Sequence, residues 1–222
     1  MAVAAIFDID GTLVTFKFDV QGTRRALIEE LKARGVDTTG IDLSTPTQQI
    51  LDEAMERMGQ ANQEGYAAYR RRVFEMLDSF ELEGAATTKP FPGVRDVLVR
   101  LKSQGVRLAV LTNSGRKSAS EALRRGDLLG LFEFVITRDD SEAMKPRPEG
   151  LLKAVQLLSL PKEEVYYIGD SPFDIHAARA AGIRIVSVAT GSYSQDRLKE
   201  EGADYVISSI SELGAVLGVQ PK

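Results

Sequence analysis

Ala2-Val3-Ala4-Ala5-Ile6-Phe7, met at once by Asp8-Ile9-Asp10-Gly11-Thr12, is the stretch whose reading decides the fold. A short apolar run that stops at a carboxylate and a glycine reads as a strand buried on both faces. Such strands belong to parallel sheets covered by helices. Open parallel sheets bind ligands at the carboxyl edge of their strands. The residues that follow each strand are therefore the ones to inspect.

Working outward, the same texture returns only after Pro90. Val106–Leu111, Phe134–Thr137, Val165–Ile168, Ile183–Val188 and Tyr205–Ile207 are apolar runs. Helical patterns lie between them. Val94, Val97, Leu98 and Leu101 share one helix face, and Leu151, Leu152, Val155 and Leu158 are read the same way. Alternating strands and helices predict an α/β fold, a Rossmann-like parallel sheet flanked by helices. Residues 16–89 differ. Leu51, Ala54, Met55 and Met58 mark one helical face, Tyr66, Tyr69, Val73 and Leu77 another, with Gly35, Gly59 and Gly84 as breaks. The expected organisation is an α/β core over 1–15 and 90–222, with an α-helical insertion over 16–89.

Composition removes several chemistries. Among 222 residues there is no Cys, so thiol nucleophiles, thiolate metal sites and disulfides are excluded. One His, His176, cannot supply a multi-imidazole zinc site. No G-x-S-x-G surrounds a serine. The net charge of −4 offers no electrostatic footprint for nucleic acid or anionic membranes. The N-terminal apolar run lacks a basic region, and no run approaches the roughly 20 apolar residues of a spanning helix. The expectation is a cytoplasmic protein acting on a small molecule.

Four strand ends carry the candidates. The first holds Asp8 and Asp10, and the second Thr112-Asn113-Ser114-Gly115. The loop after the third holds Lys145-Pro146-Arg147-Pro148, with Lys145 biased toward extended backbone by Pro146. The fourth is Gly169-Asp170-Ser171-Pro172-Phe173-Asp174. Clustered carboxylates repel unless a cation sits among them, and Mg²⁺ prefers oxygen ligands. A carboxylate can attack phosphorus, Lys145 can offset negative charge, and Thr112 with adjacent N–H groups can hold phosphate oxygens. Each piece also has a structural reading. Asp-x-Asp-Gly makes turns, Ser171 to Asp174 makes a helix cap, Thr112 can cap a strand, and Lys145 can be a solvated loop cation.

Taken together, Asp8-Ile9-Asp10-Gly11-Thr12-Leu13, Thr112-Asn113, Lys145-Pro146-Arg147-Pro148-Glu149 and Gly169-Asp170-Ser171-Pro172-Phe173-Asp174 resemble the haloacid dehalogenase-like hydrolase superfamily, in its phosphoglycolate phosphatase-like branch. Phe91-Pro92-Gly93-Val94 and Ala181-Gly182-Ile183 are similar to family sequence too. The resemblance implies a Mg²⁺-dependent phosphatase with a helical cap, acting through an aspartyl-phosphate. It implies Asp8 as nucleophile and Asp10 as acid, then base. It implies Mg²⁺ held by the Asp8 carboxylate, the Asp10 carbonyl and Asp170, with Asp174 supporting the metal's waters or Lys145. Thr112, the Asn113 amide and Lys145 would bind phosphate. Dehalogenases lack the second Asp, so Asp10 favours phosphoryl transfer.

One departure stands out. Many relatives continue the first motif as D-G-T-L-x-D-S, whereas Leu13 is followed here by Val14-Thr15-Phe16-Lys17-Phe18. That leaves the leaving group open. A phosphosugar mutase and a pyrophosphatase share the chemistry, and a non-enzymatic phospho-acceptor module of the receiver type is a remoter alternative. The insertion is expected to close over the substrate and set selectivity. Arg70-Arg71-Arg72 cannot all face one pocket, because successive helical residues point about 100° apart. Lys17 is another candidate anion reader. Tyr66 and Tyr69 are expected to pack inside the insertion, and His176 to lie on a helix surface.

Overall fold

The computed structural model describes residues 4–15, 19–58, 62–141 and 143–219. By packing, the chain forms two compact units, Met1–Phe16 with Ala85–Lys222, and Lys17–Gly84.

The first unit is built on six strands: β1 (Ala4–Phe7), β2 (Arg107–Leu111), β3 (Val135–Ile136), β4 (Val165–Gly169), β5 (Arg184–Val188) and β6 (Tyr205–Ile207). All pair in parallel, in the order β3-β2-β1-β4-β5-β6. The expected strands are all present: β2, β3 and β5 start or end one residue inside the expected bounds, β4 runs one residue further, and β6 is as expected. Ala2 and Val3 lie outside the described residues.

Alternation along β1 sorts its side chains to two faces. Ala5 and Phe7 join one apolar cluster, with Leu108, Val110 and Ile168, beneath α4 (Val94–Ser103) and α5 (Arg116–Arg125). Ala4 and Ile6 join the other, with Ala109, Leu111 and Tyr167, beneath α6 (Glu149–Leu158) and α7 (Pro172–Ala181). A fully buried aliphatic side chain of this kind contributes about 1.5–3 kcal/mol. Burying both faces is why the strands read as unbroken apolar runs.

The apolar face of α4 is Val94, Val97, Leu98 and Leu101, as its spacing predicts. For α6 the buried face is Leu151, Ala154 and Leu158 with Gly150. Leu152 points outward at 40% exposure. Successive helical residues point about 100° apart, and here Leu151 takes the inward position.

The helical unit contains α1 (Val20–Ala33), α2 (Thr47–Met58) and α3 (Gln63–Ala85). Asp19 caps α1 by accepting from the Gly22 N–H at 2.8 Å. Ile50, Leu51 and Ala54 are buried on α2, and Tyr69, Val73 and Leu77 on α3. Tyr69 donates to the Leu27 carbonyl at 3.5 Å, as packing inside the unit requires. Gly35 ends α1 at φ +72°, a conformation that favours glycine. Gly84 does not break α3, which runs one residue past it. A single glycine costs a helix about 1 kcal/mol, which a long packed helix tolerates. Gly59 and Lys17 lie outside the described residues.

Both ends of this insertion leave the α/β unit side by side. The Thr15 N–H donates to the Lys89 carbonyl at 2.8 Å, and the Phe91 N–H to that of Leu13 at 3.0 Å. Thr88 also donates its hydroxyl proton to the Thr15 carbonyl.

Candidate active site

Register sets the level of the site. Phe7 pairs with Val110 on one side and Ile168 on the other, so Asp8 stands level with Leu111 and Gly169. The Asp8 N–H extends the ladder by donating to the Ile168 carbonyl at 2.8 Å. Thr112 and Asp170 follow one residue later on the flanking strands. Three of the four predicted strand ends therefore meet at the carboxyl edge of neighbouring strands, β2, β1 and β4.

Lys145 joins them from a turn, next to a cis Lys145–Pro146 peptide. Asn113 delivers it. The Lys145 N–H donates to Asn113 Oδ1 at 2.8 Å, and Asn113 Nδ2 donates back to the Lys145 carbonyl at 3.0 Å. This pair of bonds commits the Asn113 carboxamide to the lysine's peptide.

An ammonium has three N–H donors. Those of Lys145 point to Asp174 Oδ1 at 2.6 Å, Asp8 Oδ1 at 2.8 Å and the Tyr167 hydroxyl at 2.9 Å. The cation is buried, so each bond works in a medium that screens it poorly. Tyr167 in turn reaches Asp174 Oδ1 at 2.9 Å and the Leu111 carbonyl at 3.3 Å. Asp174 is wholly buried, and both of its oxygens are engaged. Oδ2 accepts from the Ser171 N–H at 3.0 Å and the Ser171 hydroxyl at 2.5 Å. The capping reading and the Lys145 reading of Asp174 hold at once, one on each oxygen.

Asp170 sits against glycines. A Cβ on Gly191 or on Gly11 would collide with Asp170 Oδ2, and Gly11 has φ +81°. Asp170 Oδ1 accepts from the Thr12 hydroxyl at 3.3 Å. One oxygen each from Asp8, Asp170 and Asp174 lies within 4.8 Å of the others. An all-oxygen donor set of this charge fits a hard divalent cation. With Asp174 occupied by Lys145, Tyr167 and Ser171, Asp8 and Asp170 are the carboxylates available to such an ion.

The protonation pattern follows from crowding. Burial, then the charges of Asp174 and Asp10, push the Asp8 carboxyl up to about 7, against the opposing pull of Lys145. Burial and the neighbouring Asp174 and Asp8 push Asp170 well above the usual carboxylate range. Burial also raises Asp10, opposed by the hydrogen bond from Ser114. For Lys145, burial acts to lower the affinity for its proton, but Asp174 and Asp8 together overcome it and hold the ammonium charged. Tyr167 keeps its proton, since burial and two carboxylates raise it well above normal.

Thr112 is buried at the end of β2. Its N–H donates to the Ile136 carbonyl at 3.0 Å, and its hydroxyl oxygen accepts from the Ser114 N–H at 3.1 Å. Asp10 lies half-buried beside it and takes the Ser114 hydroxyl at 2.6 Å. His176 is on the surface of α7, 2.9 Å from Glu201 Oε2.

Tyr167 and Arg138 are part of this constellation without having been predicted for it, and Ser114 belongs to the second strand end without a role assigned to it there. Arg138 is buried behind the second motif and donates from its backbone to the Ser114 carbonyl and from Nη1 to the Asn113 carbonyl, both at 3.1 Å. The signal for Tyr167 was faint: of two adjacent tyrosines in a buried strand, alternation puts one on each face. Nothing in the sequence distinguishes Arg138 from a solvated cation.

Comparison with known proteins bears on the family. Residues 5–188 match the haloacid dehalogenase-like hydrolase family. Pyrophosphatase PpaX of Halalkalibacterium halodurans is 26% identical over 223 residues, 98% of this chain and 97% of its own. Phosphoglycolate phosphatase of Chromobacterium violaceum is 31% identical over 218 residues, 95% and 94% of the two chains. The crystal structure of CbbY from Rhodobacter sphaeroides in complex with phosphate superposes with a TM-score of 0.62, at 25% identity, over 99% of this chain and 100% of that one.

Proposed function

The chain belongs to the haloacid dehalogenase-like hydrolase family and is thus a hydrolase; from that premise we propose that it is a phosphatase for small-molecule phosphate monoesters, with Asp8 as nucleophile. The observation that carries this reading is the placement of Asp8 Oδ1 2.8 Å from the Lys145 ammonium, with Asp170 converging on the same point.

In the first step an Asp8 oxygen bonds to phosphorus as the ester P–O bond breaks, and Asp10 gives its proton to the departing alcohol. In the second, Asp10 takes a proton from water as that water attacks phosphorus and frees Asp8 and inorganic phosphate. A carboxyl raised by burial can hold the proton that the first step needs. Lys145 compensates the negative charge that Asp8 and the phosphoryl group bring together. The Thr112 hydroxyl and the Asn113 backbone N–H are assigned to phosphate oxygens, since the Asn113 carboxamide is held by Lys145. Mg²⁺ is assigned to Asp8, the Asp10 carbonyl and Asp170, where it would neutralise and orient the phosphoryl group. Asp174 serves by fixing Lys145.

The likeness to PpaX favours pyrophosphate as a second substrate to test beside phosphoglycolate. Selectivity for the alcohol is assigned to residues 16–89. Purified protein should release phosphate from p-nitrophenyl phosphate with Mg²⁺ and stop in EDTA. Asp8→Asn should cost at least about 10³-fold in kcat. Near-normal turnover by Asp8→Asn would defeat the covalent mechanism.

A further inference from the structure

Asp10 carries the proton in both steps, yet its own motif does little to aim it. The backbone around it is fixed: the Leu13 N–H donates to the Ile9 carbonyl at 2.8 Å, the Gly11 N–H to that of Val14 at 2.9 Å, and the Thr190 hydroxyl to that of Gly11 at 2.6 Å. These bonds hold the main chain and leave the carboxyl free to rotate about its own torsions. Among the described residues the hydrogen bond on that carboxyl comes from elsewhere, from Ser114 Oγ to Asp10 Oδ2 at 2.6 Å.

Ser114 is itself held on both sides. Its N–H donates to Thr112 Oγ1 at 3.1 Å, and its carbonyl accepts from the Arg138 N–H at 3.1 Å. The neighbouring Asn113 carbonyl is bound by Arg138 Nη1. The hydroxyl thus projects from a braced loop that also presents Thr112.

We propose that Ser114 is a positioning residue for proton transfer, holding Asp10 Oδ2 so that Oδ1 faces the bond being cleaved. This rests on the phosphatase reading above. A donated hydrogen bond marks Oδ2 as the acceptor oxygen. The transferable proton therefore rides on Oδ1 when Asp10 is the acid, and Oδ1 receives the proton from water when it is the base. The loop that binds the phosphoryl group through Thr112 would then also orient the acid, and the two would move as one body.

The consequence is a defect that depends on the leaving group. A p-nitrophenolate departs without protonation, whereas an alkoxide needs the acid. Because kcat/KM reports the steps up to the first phosphoryl transfer, it isolates this requirement from the later hydrolysis of the aspartyl-phosphate. For Ser114→Ala, kcat/KM on an alkyl phosphate such as phosphoglycolate should fall about tenfold, and on p-nitrophenyl phosphate by about twofold or less. Ser114→Thr keeps a hydroxyl and should restore most of the alkyl rate. Asp10→Asn should show the same bias, larger. A merely structural role would lower both substrates by one factor.

Equal losses on both substrates in Ser114→Ala, or no loss on either, would overturn the proposal while leaving the phosphatase reading intact. Failure of the wild-type protein to turn over either substrate, or full activity of Asp8→Asn, would instead remove the phosphatase reading. Should Ser114→Ala be too unstable to assay, the Ser114→Thr variant and its alkyl-to-aryl ratio decide: an unchanged ratio supports the proposal, and an aryl-biased one contradicts it.

Discussion

The sheet edge and the helical unit use the same charged residue types in opposite ways. On the helices, Arg57–Glu53 at 2.8 Å, Arg34–Glu30 at 2.8 Å and Arg72–Glu75 at 3.2 Å are spaced three or four residues apart and at least partly open to water. At the sheet edge, Lys145, Asp8, Asp170 and Asp174 come from three separate segments and are buried together. Exposed helical pairs gain little, because water and salt screen them and two long side chains must be ordered. Buried groups lose their hydration and depend on one another. Charge placed at cost where folding does not require it is a mark of chemistry.

The sharpest way to probe this contrast is Lys145→Ala. It removes the cation paired with the buried Asp8 and Asp174 carboxylates, and breaking a buried pair on one side costs about 3–5 kcal/mol. Phosphatase activity should fall by about 10³-fold as the charge opposite Asp8 is lost. Chemical denaturation and steady-state rates on the same preparation check both, and Mg²⁺ should recover part of the stability.

Next in size is the response to pH. Asp8 holds its proton up to about 7 in the folded chain and gives it up near 3.8 when unfolded. Across that window the folded state binds more protons, so stability in EDTA should decline as pH rises from about 4 to 7. Asp8→Asn should flatten the decline, and Mg²⁺ at pH 7 should raise the melting temperature of wild type more than that of Asp8→Asn. Parallel curves for the two proteins would show that the cluster is not what titrates.

Tyr167→Phe makes a smaller cut. It deletes a hydroxyl that binds both Lys145 and Asp174 and leaves one ammonium N–H without its partner, at a cost of about 1–3 kcal/mol. The expected result is a lower kcat with little change in KM, since the ammonium is displaced rather than lost. Smallest of all is Glu53→Ala on α2, expected to cost about 0.3–0.5 kcal/mol and to leave kcat unchanged. A Glu53→Ala loss equal to that of Lys145→Ala would erase the contrast.

Much of the α/β unit was legible because its strands are buried on two faces and therefore unbroken in sequence. The positions of Asp8, Thr112 and Asp170 followed from strand ends alone. Lys145 was harder, because its backbone is set by Asn113, a contact across 32 residues. Tyr167, Ser114 and Arg138 were not legible as functional. Their roles come from side-chain hydrogen bonds between segments, which leave no periodic trace. Gly84 and Leu152 misled for a related reason: packing against neighbours decided what local pattern left ambiguous.

The central claim is covalent chemistry at Asp8, and the most direct measurement is to trap it. Asp10→Asn, slowed in releasing the phosphoryl group, would be mixed with p-nitrophenyl phosphate and Mg²⁺, quenched in acid and mapped by peptide mass spectrometry. The account predicts a phosphoryl group on the peptide bearing Asp8, at the Asp8 carboxylate. A phosphoryl group on another residue, or an unmodified Asp8 peptide from enzyme that is still releasing p-nitrophenol, would contradict it.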